Sequence, residues 1–158
     1  MSSSPKILVL GATGYLGGMS LPSSTCPELI TLPTGTFLTD ILKIYNANDI
    51  TALIRDSSKQ SLLEPYRVNT VIGQVEDVAL LRSLVEANDV VVNFAVPFAG
   101  GEESIKAIVE GLEKRAKTSD IKPILLQTSG TGSIMYGSNG EAGTDTWKVS
   151  PRNPSVTI

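Results

Sequence analysis

The residues whose types and spacing could do chemistry begin at Gly11. The run Gly11-Ala12-Thr13-Gly14-Tyr15-Leu16-Gly17 stands directly after an apolar stretch, Lys6 to Leu10, reading Lys-Ile-Leu-Val-Leu. A site for a dinucleotide needs a tight strand-to-helix turn, a backbone that can approach the pyrophosphate, and helix N–H groups pointing at it. Glycines at 11, 14 and 17 supply that spacing. The chain also excludes much: it has no histidine and one cysteine, Cys26. Ser-His-Asp triads, the usual zinc sites and an intramolecular disulfide are therefore ruled out, and with them most hydrolase chemistry. No metal site is expected.

The elements that must position this turn follow a regular order. After the first strand, Asp49 to Arg55 and Asn69 to Ile72 read as second and third strands, Asp89 to Ala95 and Ile121 to Thr128 as fourth and fifth. Each is a short, β-rich apolar run of the kind buried in a parallel sheet. Helical patterns lie between them: Phe37 to Tyr45, Val78 to Glu86 with Val78, Leu81 and Val85 on one face, and Glu103 to Lys117 with Ile105, Ile108, Val109 and Leu112 on one face. Strands alternating with helices predict an α/β, doubly wound parallel sheet with right-handed crossovers.

At 158 residues, with 41% hydrophobic and 18% charged residues, the chain suits one domain. A formal charge of -3 and a pI near 4.9 give no electrostatic reason to expect nucleic acid or an anionic membrane as partner. No run of about 18 apolar residues occurs, so no membrane span is expected and a cytoplasmic location is. The expected domain covers residues 1–135, with an irregular insert at 19–35 and a tail at 136–158, rich in Gly, Ser, Thr and Asn, expected to be disordered.

The form Gly-x-x-Gly-x-x-Gly with Ala-Thr inside it differs from the dehydrogenase form Gly-x-Gly-x-x-Gly. It resembles the extended and atypical short-chain dehydrogenase/reductase families, including NmrA-like proteins and NAD-dependent epimerases, over roughly Lys6 to Tyr136. The resemblance implies a Rossmann sheet of strand order 3-2-1-4-5 and an NAD(P) cofactor held by residues 11 to 17. Arg55 falls where these families place the adenosine ribose. It resembles the arginine of NADP-preferring members, whose guanidinium pairs with the 2'-phosphate, so NADP is favoured over NAD. A solvated arginine is the other reading, and Asp56 beside it leaves NAD open. Gly73-Gln74-Val75-Glu76-Asp77 is similar to the family's adenine-facing loop, with Gln74 in place of the usual acid and Asp77 better read as a helix N-cap. Asn93-Phe94-Ala95 ends the fourth strand, where the family's backbone lines the cofactor, although Asn93 also suits a plain turn. Ser129, in Thr128-Ser129-Gly130, resembles the Ser/Thr that hydrogen-bonds a substrate carbonyl or hydroxyl, and is the one catalytic candidate.

The family's Tyr-x-x-x-Lys pair, in which lysine lowers the tyrosine pKa for proton transfer, is absent: Tyr136 is followed four residues later by Gly140. Either the chain works without it, as NmrA-like regulators that sense NADP do, or the catalytic half lies outside it. Met19 to Gly35 raises a separate question. Pro22, Pro27 and Pro33 would each cost about 3 kcal/mol inside a helix, yet they sit where the first crossover helix belongs. Excising the segment brings Leu16, Phe37, Ile41 and Tyr45 into a stripe four apart. Gly18-Met19-Ser20 and Thr34-Gly35 are compatible with splice-donor and acceptor codons, as Lys148-Val149-Ser150 is with a second donor. A translated intron, giving an inactive truncated product, is thus one reading of the insert and tail, and a natural loop insertion the other. The parent activity implied by the resemblance is that of an oxidoreductase or epimerase on a small carbonyl or hydroxyl substrate. Substrate and oligomeric state are left open.

Overall fold

The computed structural model describes residues 4–14, 37–95 and 101–128 of the chain. The apolar runs form five strands: β1 Ile7–Leu10, β2 Ile50–Ile54, β3 Asn69–Ile72, β4 Val90–Asn93 and β5 Ile124–Gln127. Every neighbouring pair is parallel, and the order is β3-β2-β1-β4-β5. This is the order expected from the sequence, the Rossmann-like α/β arrangement. The strands are shorter than the runs that announced them because their flanks do other work. Lys6 and Asp89 bond to each other ahead of β1 and β4, and Pro123, which has no N–H to donate, stands just before β5.

Burial on both faces explains why β1 is apolar at every position. Ile7 and Val9 join Ile50, Ala52, Ile54 and Val92 in one cluster, while Leu8 and Leu10 join Leu53 and Val91 in another. The four β1 side chains are at most 1% exposed; burying each of the larger ones stabilises by about 1.5–3 kcal/mol. The first face is covered by helix α1, Phe37–Ile41, with Leu63 and Val68 from the β2–β3 connection. The second is covered by α2, Val78–Glu86, and α3, Glu102–Thr118.

The helix expected over Phe37 to Tyr45 is a correction: α1 ends at Ile41. Beyond it the turn is mixed: Lys43 N–H donates to the Asp40 carbonyl at 3.2 Å and Ile44 N–H to that of Ile41 at 3.0 Å, both i→i+3, while Tyr45 N–H donates to the Ile41 carbonyl at 2.9 Å, i→i+4. Phe37, Ile41 and Tyr45 nevertheless all pack on the first core face. The residues 15–36, which include the insert, and 129–158, which include the expected tail at 136–158, lie outside the described residues.

Helices α2 and α3 cross closely. A Cβ at Gly111 would lie 2.9 Å from the Cβ of Val85 and 3.3 Å from the Arg82 carbonyl oxygen. Arg82 pairs with Glu110 at 2.6 Å and Lys114 with Glu86 at 2.8 Å across the same contact. Both pairs are substantially exposed, so close packing holds the helices together more than charge does. At the amino end of β4, Asp89 is buried and its carboxylate accepts from the Lys6 N–H at 3.0 Å, Arg115 Nε at 2.8 Å and Ser119 Oγ at 2.7 Å. It thereby ties β1, β4 and the end of α3 together. Burial alone would raise its pKa. The bonds from Arg115, Lys6 and Ser119, together with the Arg115 charge, outweigh burial and hold it below the ordinary carboxylate value.

Candidate functional site

Parallel strands deliver all their carboxyl ends to one edge of the sheet, and ligands of such sheets bind there, where the strand order reverses. In this chain the reversal lies at β1, which pairs with β2 on one side and β4 on the other. A cleft of about 270 Å³ opens at that edge, and its walls come from the residues that follow β1, β2, β3 and β4.

Gly11 leaves β1 at φ +82°, a left-handed conformation that L side chains rarely adopt. A Cβ there would sit 3.1 Å from the Ala95 Cβ and 3.3 Å from the Ala95 nitrogen. The turn closes with the Gly14 N–H donating to the Gly11 carbonyl at 2.9 Å. Gly11, Thr13 and Gly14 line the cleft, whereas Ala12 turns into the core and is fully buried. On the opposite side of β1, the Phe94 N–H donates to the Leu10 carbonyl at 3.0 Å. The Phe94 ring meets Phe37 edge to face, centroids 5.1 Å apart, which ties the cleft's floor to α1.

The second wall carries charge. Arg55, exposed, directly follows β2 and lines the cleft with Lys59. Lys59 lies on the 3-10 segment Ser57–Leu62, whose N-cap is Asp56; the Asp56 Oδ1 accepts from the Ser58 N–H at 2.9 Å. The hydrogen bonds from Ser58 are the main reason that the Asp56 carboxyl lies below its ordinary pKa, and the Lys59 and Arg55 charges add to them. Asp56 thus serves the local cap. Sequence reading named Arg55 and passed over Lys59. No local pattern marked Lys59: Arg55 precedes the N-cap Asp56 and lies outside the 3-10 segment that carries Lys59, so only the placement of that segment brings the two cations to one cleft.

The third wall is Gly73, Gln74, Val75 and Glu76. Gly73 N–H donates to the Ile54 carbonyl at 2.9 Å, which holds this loop beside Arg55. Asp77 caps α2 through Leu80 N–H at 3.0 Å, as its position suggested. Asn93 does not line the cleft: it is buried at 0% exposure, and its side chain bonds Gln127 and Ala95. Of the residues singled out from sequence, Gly11, Thr13, Gly14, Arg55, Phe94 and Ala95 come together at the cleft. Tyr15, Leu16, Gly17 and Ser129 lie outside the described residues. Among the described residues no group of His, Cys, Asp or Glu could hold a metal ion, and no helix is long and apolar enough to cross a membrane.

A five-stranded parallel sheet in the order 3-2-1-4-5, with a left-handed glycine turn at its reversal point, defines a Rossmann-like α/β protein. No family model matches the chain and no curated protein does. Among solved structures, the triphenylmethane reductase of Citrobacter sp. complexed with NADP(H) matches at TM-score 0.50 and 21% identity, over 75% of this chain and 36% of that one. Another structure of the same reductase matches at TM-score 0.50 and 20% identity, over 70% and 34%. An NADPH-dependent quinone oxidoreductase from Escherichia coli gives TM-score 0.48 at 16% identity, over 70% and 33%. These neighbours are described as a triphenylmethane reductase and an NADPH-dependent quinone oxidoreductase. What the chain shares with them is the fold, and it spans about a third of their length.

Proposed function

We propose that the chain is an NAD(P)-binding protein of the atypical short-chain dehydrogenase/reductase type, with NADP(H) preferred. The observation that carries this reading is the Gly11 turn, at φ +82° on the strand where the sheet order reverses, opening onto a cleft that also holds Arg55 and Lys59. Gly11, Thr13 and Gly14 would receive the pyrophosphate, and Arg55 with Lys59 the 2'-phosphate, since two cations lining one cleft suit a doubly charged phosphate better than a ribose hydroxyl. The bound cofactor supplies hydride chemistry; the chain's own part is binding and orientation. Ser129 is retained as the proposed hydrogen-bonding partner of a substrate carbonyl or hydroxyl, the parent activity being reduction or epimerisation of a small molecule.

A second reading has its own support. The absent Tyr-x-x-x-Lys pair favours a non-catalytic, NmrA-like protein that senses NADP. Calorimetric titration with NADPH and NADH tests the first claim, and assay for hydride transfer to carbonyl compounds separates the two readings. Micromolar NADPH binding, weakened about tenfold by Arg55→Ala while NADH binding is little changed, is the expected result. Equal binding of both nucleotides overturns the preference, and silence from the whole chain overturns cofactor binding. Binding gained only after removal of Met19 to Gly35 assigns the loss to that segment.

A further inference from the structure

A side-chain amide has one accepting end and one donating end, so its neighbours decide its orientation. Asn93 and Gln127 are register partners at the carboxyl ends of β4 and β5, and their amides meet with Asn93 Nδ2 donating to Gln127 Oε1 at 2.7 Å. Asn93 Oδ1 accepts the Ala95 N–H at 3.1 Å, which leaves Nδ2 as its donor. Gln127 must then accept through Oε1, and its Nε2 donates to the Thr128 carbonyl at 2.9 Å. Thr128 returns to Asn93, its Oγ1 and N–H donating to the Asn93 carbonyl at 2.9 and 3.2 Å. Each amide is used at both ends, and Asn93 is fully buried, where an unmatched amide would be costly.

The far end of this relay is the cleft. Ala95 is the residue whose nitrogen and Cβ lie closest to the space beside Gly11, and it lines the cleft while Gln127 does not. We infer that Gln127 is a positioning residue: through Asn93 it holds the Ala95 backbone against the Gly11 turn and so sets the wall on which the pyrophosphate and nicotinamide side of the cofactor rests. The cofactor part of this inference rests on the NAD(P) reading above. The relay does not reach Arg55 or Lys59, which stand on the adenosine side.

Gln127→Leu removes both ends of the amide at similar size, and Gln127→Met serves where leucine disturbs folding. In the free protein, Ala95 amide exchange followed by NMR is expected to quicken about tenfold in the variant. NADPH affinity is expected to fall about fivefold, with adenosine 2'-phosphate, which needs only the Arg55 side, unchanged within about twofold. Gln127→Glu keeps an acceptor for Asn93 and is expected to keep Ala95 protected. Unchanged Ala95 exchange overturns the inference. So does an equal loss of NADPH and adenosine 2'-phosphate binding, which marks general loosening. Wild-type chain that binds no NADPH removes the cofactor reading and this inference with it; wild-type binding with an unaffected variant removes the inference alone.

Discussion

At Gly11 the backbone decides what can stand there. A side chain would meet both the left-handed φ and the Ala95 Cβ at 3.1 Å. Gly11→Ala is expected to lower stability by about 1–3 kcal/mol in denaturant unfolding and to abolish nucleotide binding. This requirement was legible in the sequence, because glycine after an apolar strand is the signature of such a turn. Lys59 was not, since a lysine in a polar stretch carries no sign of which way the turn beneath it faces. Asp89 was legible only as the start of a strand, although it is the buried partner of Lys6, Arg115 and Ser119. Asp89→Ala is expected to cost about 3 kcal/mol, because it leaves the Arg115 guanidinium without its partner. The pH dependence follows from the lowered pKa. Folded Asp89 ionises below the ordinary 3.8, so its contribution is whole at neutral pH and is lost as pH falls through 3.8 toward the folded value. Thermal melts between pH 7 and pH 2 should show this acid loss in wild type and a flatter profile in the variant.

Among the elements, α2 and α3 were read from the sequence almost to the residue because each has a 3.6-residue apolar stripe and a sheet face to bury it on. Their closeness was not readable. Gly111 looks like a weak point in α3, and by helix propensity alone Gly111→Ala would stabilise by about 1 kcal/mol. The neighbouring Val85 Cβ and Arg82 carbonyl belong to the other helix's backbone region and cannot swing aside. Overpacking wins, and the variant is expected to be destabilised by about 1–2 kcal/mol net, measured by urea unfolding. The first crossover behaves differently. Its stripe Phe37, Ile41, Tyr45 packs as the spacing implied, but the continuous α-helix stops at Ile41 and the following turn mixes i→i+3 with i→i+4 bonds. A helix this short draws its stability from packing rather than from propagation, so burial of Tyr45 is kept while the last turn tightens.

Across the whole molecule, the sheet is asymmetric. The interior strands are buried on both faces, whereas β5 presents Ile124 and Leu126, each 49% exposed. Both project away from Leu125, which packs toward α2 and α3. An apolar strand at a sheet edge favours pairing with other chains. Ile124→Lys with Leu126→Thr is expected to cost within about 0.5 kcal/mol of stability per site and to reduce self-association, followed by light scattering against concentration. An increase or no change in scattering would remove β5 as the cause.

The sequence by itself determined the layered α/β fold, because double-sided burial demands continuous apolar runs and crossover helices demand a 3.6-residue stripe. It also determined the glycine turn, whose conformation few other residues can adopt. Only the tertiary structure decided where single residues end up: that Lys59 shares the cleft with Arg55, that Ala12 and Asn93 turn inward, and that Gln127 reaches Asn93 across a strand pair. The last of these joins residues 34 apart in the chain through strand register, and no local pattern of residue types encodes a register.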